Sequence, residues 1–191
     1  MSKVFFGLSN VMISARTESQ GTVSYAVPVA LPGGVSLSIE RDSETSDFYA
    51  DNGKYWSSNS ANSLKCELEM ADLTRTFMTT YLSYTEASGG GYIQTTRNND
   101  AAFALLFAVE TDVKQRKCCL FNCTASEGDL EHATTEESVT PGTVTVNINC
   151  TGEALANGGR SLKLVSEQGD ANYATFFTAA PTVPTPSDPS F

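Results

Sequence analysis

"SLKCELEM", residues 63–70, decides the class of fold. Leu64, Cys66, Leu68 and Met70 recur at every second position, and Lys65, Glu67 and Glu69 fill the places between them. Successive side chains of a strand leave opposite faces, so this stretch is a strand with one apolar and one charged face. The same alternation returns on both sides of it. "VSLSIE" (35–40) puts Val35, Leu37 and Ile39 on one face. "SKVFFGLSNVMIS" (2–14) and "TVSYAVPVAL" (22–31) read as earlier strands, the second stopped by Pro32-Gly33-Gly34. "AAFALLFAVET" (101–111) is apolar on both faces, as expected of a strand covered on both sides. "KCCLFNCTA" (117–125) and "TVTVNINCT" (143–151) complete the strong set, and "SLKLVSE" (161–167) and "NYATFFTA" (172–179) are weaker candidates.

Helical spacing stands out in "DLTRTFMTTYLS" (72–83). Leu73, Phe77, Met78, Tyr81 and Leu82 share one face there, with Asp72 placed to cap the first turn. Polar loops are expected over 83–100 and 126–142, both able to order on meeting a partner. The expected architecture is mainly β, a sandwich or barrel with one flanking α-helix. One domain would cover 1–180, followed by a Pro-rich, extended tail over 181–191.

Composition narrows the function. The 191 residues are 40% hydrophobic and include ten Phe, enough for a real core. Twelve Lys and Arg against 22 Asp and Glu give a net charge of −10, which argues against gripping a phosphate backbone. No apolar run reaches the roughly 18 residues of a membrane helix, so no membrane is expected as a partner. No secretory signal is visible, so the five cysteines are expected to be reduced thiols.

The acids crowd into "SIERDSETSDFYADNGKYW" (38–56), with Glu40, Asp42, Glu44, Asp47 and Asp51 in close succession. A calcium loop begun at Asp42 fails, because Ser46 stands at its fifth position and Asp47 where glycine is required. Nothing in the sequence specifies a cleft for a pair of catalytic carboxylates. Cys118, Cys119 and Cys123 lack zinc spacing, and adjacent strand residues diverge, so Cys119, Cys123 and Cys150 read as small core hydrophobes. His132 is the single histidine and lies in a polar loop, which leaves no triad or Cys-His dyad. No phosphate or dinucleotide loop is present. The sequence predicts neither an enzyme nor a bound cofactor or metal.

The order of motifs resembles the major tail proteins, or tail tube proteins, of long-tailed, non-contractile bacteriophages. The residues that carry the likeness are "KVFFGLSNV" (3–11), "VPVALPGGVSLSIE" (27–40) and "FYADNGKYW" (48–56), followed by "FALLFAVETD" (103–112). Arg116, "LFNCTAS" (120–126), "TTEE" (134–137) and "TVTVNINCT" come next. The resemblance spans roughly residues 3–150. It implies the β-sandwich-like barrel of phage and type VI secretion tubes, with six subunits in a ring and rings stacked into a hollow tube. It also implies a virion protein assembled in the host cytoplasm. Its partners would be other copies of itself, a tape-measure protein and tail-tip or terminator proteins, with phage DNA passing through the lumen unbound.

On that reading the acidity has a use, since a lumen lined with carboxylates repels phosphates and lets a duplex slide. The candidates for the lumen are Glu40, Asp42, Glu67 and Glu69, which lie on or beside alternating strands. The candidates for contacts between subunits are Phe48, Tyr49, Asp51, Asn52, Tyr55 and Trp56, on a hairpin with Asn52-Gly53 at its turn. Two other functions stay open on the residues alone. One is a monomeric β-sandwich binding or adhesin module that stacks sugars on Tyr49, Tyr55 and Trp56, and the other is a hydrolase using paired acids.

Overall fold

Strands dominate, as the alternation requires. In chain order they are β1 (Leu8–Ser19), β2 (Thr22–Tyr25), β3 (Val29–Ala30), β4 (Gly34–Ala50) and β5 (Gly53–Met70). Helix α1 (Arg75–Tyr81) follows, then β6 (Tyr84–Glu86), β7 (Tyr92–Gln94), β8 (Phe103–Val109), β9 (Lys117–Leu130) and β10 (Val144–Cys150). The last are β11 (Glu153–Ala154), β12 (Arg160–Ser161) and β13 (Lys163–Ser166). The computed structural model describes residues 7–50, 53–96, 101–110, 114–130, 142–156 and 158–186, with 44–50, 53–62 and 129–130 described by backbone alone. One antiparallel sheet runs in the order β2-β1-β8-β9-β10-β5-β4, with β3 added to β1 and β13 added to β9. The stretch at 22–31 gives two strands because Pro28, which has no N–H to donate, falls between them.

The pattern of "SLKCELEM" is realised in β5. Leu64, Cys66, Leu68 and Met70 are at most 8% exposed, and Leu68 and Cys66 stand opposite Val146 and Ile148 of β10. Burying each large side chain contributes about 1.5–3 kcal/mol. In β8, Phe103, Leu105 and Phe107 enter this main core, while Ala104 and Leu106 enter a second cluster on the other side of the sheet. The strand is therefore covered on both faces.

Helix α1 closes the main core. Phe77 is 1% exposed, and the rings of Phe77 and Tyr81 meet Phe103 at 6.0 and 4.8 Å. The helix is shorter than the expected 72–83, and its cap is Thr74 rather than Asp72. Thr74 Oγ1 accepts the Phe77 N–H at 3.3 Å, whereas the Asp72 carboxylate accepts the neighbouring Leu73 N–H at 2.8 Å. After Tyr81 the chain turns extended at Leu82 (ψ 172°), which stays buried.

The second cluster gathers Tyr25, Ala104, Leu106, Cys119 and Phe121 under Phe176, with Phe177 and Val183 packed at its edge. "NYATFFTA" supplies that cover as turns, not as a strand. Tyr173 N–H donates to the Asp170 carbonyl, and the Thr178 and Ala179 N–H groups donate to the Thr175 carbonyl. The Lys117 ammonium fastens the segment, 2.7 Å from the Tyr173 carbonyl and 3.8 Å from the centre of its ring.

Three further expectations change. The loop at 83–100 contains the β6–β7 hairpin, and 97–100 lie outside the described residues. Residues 126–130 of the other expected loop continue β9 and pair with β10, and 131–141, with His132 and "TTEE", lie outside the described residues. The cysteines are not all thiols. Cys123 and Cys150 stand directly opposite across β9 and β10, Cα atoms 4.0 Å apart, and are joined as a disulfide. Cys66, Cys118 and Cys119 are buried, and burial pushes the Cys66 thiol up to about 11.

Candidate assembly surface

The charged face of β5 extends sideways into a polar surface shared by four strands. Register places Ser38, Glu67, Asn147 and Ser126 in one row across β4, β5, β10 and β9. The next row is Glu40, Lys65, Asn149 and Thr124, and a third contains Ser36, Glu69 and Thr145. The first two rows form a shallow groove of about 360 Å³, and Lys65 is the one cation among the described residues that line it. Glu40 and Glu67 are exposed in the groove, and Glu69, in the row beside it, is half-buried. Three of the four acids singled out in the sequence thus share one face.

Three neighbours partner the acids. Glu69 accepts from Thr143 Oγ1 at 2.7 Å and from Ser36 Oγ at 2.9 Å, and those hydroxyls hold its carboxyl below the ordinary value. Asp42, at the border of the face, meets the Lys65 ammonium at 3.2 Å. Hydroxyls and amides fill the remaining positions. Among the described residues this surface holds no cationic cluster that would bind a polyanion.

Beyond Asp42 the β4–β5 hairpin leaves the sheet. β10 pairs with β5 only over residues 64–70, so from Ser43 and Ala61 outward the two strands pair with each other alone among the described residues. At about 3.3 Å per residue, the path from Asp42 to Ala50 makes an arm of roughly 25 Å. A register shift between Asp42 and Ser43 marks its root, and such bulges bend a ribbon. The expected hairpin is present, with Ala50 paired to Gly53, and Asp51 and Asn52 lie outside the described residues. Phe48 pairs with Trp56 and Tyr49 with Lys54, with Tyr55 in a second register shift. Phe48, Tyr49, Tyr55 and Trp56 thus belong to the arm, apart from the acidic face.

A buried ionic cluster was not expected. Glu153 of β11, its side chain 5% exposed, accepts from Arg16 of β1 and, at 2.7 Å, from the hydroxyl of Tyr25. The Tyr25 oxygen in turn accepts the Asn122 N–H at 3.1 Å, so β1, β2, β9 and β11 meet at one point. Burial raises the Glu153 carboxyl, but the bonds from Arg16 and Tyr25 and the Arg16 charge outweigh it, and its pKa ends below the ordinary value. Burial and the Glu153 carboxylate push Tyr25 far up. Nothing in the sequence marks Glu153, which is 137 residues from Arg16. A second cluster anchors the β6–β7 hairpin, where Tyr84 and Gln94 both donate to Glu127.

Among the described residues no group of three His, Cys, Asp or Glu could hold a metal, and no helix is long and apolar enough to cross a membrane. No protein-family model matches the sequence. A search of curated proteins finds no match either. Among solved structures, similar chains occur in an extracellular contractile injection system. One belongs to the PVC sheath–tube complex in the extended state, at 11% identity and a TM-score of 0.41, covering 83% of this chain and 88% of that one. Another comes from the PVC sheath/tube terminator in the extended state, at 8% identity and a TM-score of 0.42, covering 87% and 99%.

Proposed function

We propose that this chain is a structural subunit of a phage-type tail tube, in which hexameric rings stack and the β4-β5-β10-β9 face lines the channel. The observation that carries the reading is the convergence of Glu40, Glu67 and Glu69, with Asp42 at the border, on one open sheet face. Six copies would bring roughly two dozen carboxylates to a ring, an inner wall that repels DNA as it passes. The likeness to major tail proteins supports the same role. The arm supports it from another side, because a ribbon that leaves its own sheet can reach a neighbouring subunit or ring. Catalysis has no part in this function. The remaining partners would be a tape-measure protein, tail-tip and terminator proteins, and the DNA, in a virion tail built in the host cytoplasm.

Negative-stain microscopy with light scattering, in the presence of a preassembled tail tip, tests the polymer. Hollow tubes are the expected result. A chain that stays monomeric beside the tip and retains a sugar ligand would instead be a binding module. Once tubes are in hand, Glu40→Lys and Glu67→Lys together, both at exposed positions, test the lumen. Tubes should persist, since exposed substitutions cost within about 0.5 kcal/mol each, and DNA ejection should slow. Ejection at the wild-type rate would put this face outside the channel.

A further inference from the structure

The disulfide sits in a row that crosses six strands. Register sets Ala15, Phe103, Cys123, Cys150, Leu64 and Arg41 side by side on β1, β8, β9, β10, β5 and β4. Among the described residues it is the last row in which β10 supports β5. One residue further Asp42 pairs with Ser63, and the register shift at the root of the arm follows. Cys123 and Cys150 are both 0% exposed, so a change in the pair is felt by whatever packs around it. Those surroundings differ in firmness. On the β8 side Phe103 is fully buried and held by the rings of Phe77 and Tyr81. Past the end of β10 the Thr151 and Gly152 N–H groups donate to the Asn122 and Phe121 carbonyls at 3.0 and 3.1 Å, and the Asn122 amide donates to the Gly152 carbonyl at 3.2 Å. On the β5 side stands Leu64, after which β5 has β4 as its one described partner. That side is the soft one.

We propose that Cys123 and Cys150 form a redox clasp that sets the order of the arm's root. Joined, the two sulfurs hold β9 and β10 together and leave Leu64 its place in the core. As thiols they stand at contact distance rather than bond distance, and the row needs more room. An overfilled core moves its backbone where support is weakest. The movement passes through Leu64 to Arg41, Asp42 and Ser63, and the arm then pivots on a loosened root. Closing the clasp takes a proton from each thiol and passes two electrons to a low-molecular-weight disulfide, which leaves as two thiols. The clasp is a property of the single subunit and does not rest on the proposed tube.

The test compares full-length protein kept under reductant with the same protein oxidised by glutathione disulfide. Alkylation in denaturant should count five thiols in the first and three in the second, with Cys123 joined to Cys150 in the peptide map. Amide hydrogen exchange over 41–43 and 63–64 should be at least about fivefold faster in the reduced form. The β6–β7 hairpin, anchored separately on Glu127, should change by less than about twofold. Cys123→Ala with Cys150→Ala, which has neither the bond nor the bulk of the thiols, should exchange alike under both treatments. The two wild-type forms decide the question even where that variant fails to fold. Five thiols after oxidation, or equal exchange of the two forms at the root, would overturn the clasp. So would a response in the variant, or faster exchange spread evenly over the sheet, which would make the disulfide a general staple.

Discussion

Replacing Glu153 by glutamine should destabilise the protein by about 3–4 kcal/mol at neutral pH. The size follows from what the carboxylate holds. Arg16 and Glu153 side chains are 15% and 5% exposed, so removing the negative charge leaves a guanidinium largely out of water. Breaking a buried pair from one side costs about 3–5 kcal/mol in a fully enclosed site. Arg16 keeps Glu18 at 2.9 Å, and Glu18 is 53% exposed, which moves the first contribution to about 2–3 kcal/mol. The Tyr25 hydroxyl loses its charged acceptor, which adds about 1 kcal/mol. Urea unfolding followed by circular dichroism reads the sum. The pH dependence supplies an independent check. Because the folded carboxyl lies below its ordinary value of 4.5, its contribution is complete above that value and is lost as pH falls through the folded value. The gap between wild type and variant should therefore narrow in acid. A gap under about 0.5 kcal/mol at neutral pH would show the cluster to be incidental, as would a gap that does not narrow in acid.

Two further outcomes are expected. Gly152→Ala should cost more than about 1 kcal/mol, because φ is +69° and a Cβ there would stand 2.7 Å from the Ser161 carbonyl oxygen. Gly21→Ala, at φ +77° in open space, isolates the strain without the clash, and equal losses would remove the steric argument. Spectrophotometric titration, with Tyr84→Phe as reference, should show Tyr84 ionising at about 12, raised by burial and by its bond to Glu127. Glu127→Gln should bring that value toward 10, and an unchanged titration would break the link between the hairpin and β9.

Period alone revealed the two faces of β5 and the double cover of β8, because a strand's side chains obey one geometric rule wherever it lies. Register obeys no such local rule. The alternation put Cys123 and Cys150 on the apolar face, but their direct opposition depends on how β9 and β10 align, and so the disulfide was hidden. The polar rows were half legible for the same reason. Glu67 and Glu69 follow from β5, whereas the joining of Glu40 to them needed the β4 register. Glu153 was invisible, a lone acid beside Gly152 that is buried only because Arg16 and Tyr25 arrive from the far end of the chain. One miss did carry a signal. Tyr173, Phe176 and Phe177 are spaced three and four residues apart, a turn spacing, and only their β-prone composition suggested a strand.

The arm poses the sharpest physical question. A two-stranded ribbon without a third strand is marginal in water, since each backbone group pairs on one side only. Its β5 half carries "SSNSANS" (57–63), a run of Ser and Asn broken only by Ala61. The ends of "FYADNGKYW" are aromatic, and aromatic pairs are strong cross-strand stabilisers when something covers them. Among the described residues, β10 pairs with β5 no further than Leu64. On the proposed assembly, that stabilisation comes from neighbouring subunits, which makes the arm a reporter of assembly. Amide hydrogen exchange over 43–50 and 53–61 should slow by at least about tenfold on passing from free subunit to tube, while β8 and β9 in the core change little. Equal exchange of the arm in both states would mean that it docks on nothing, and the contacts between subunits would have to be sought on the sheet itself.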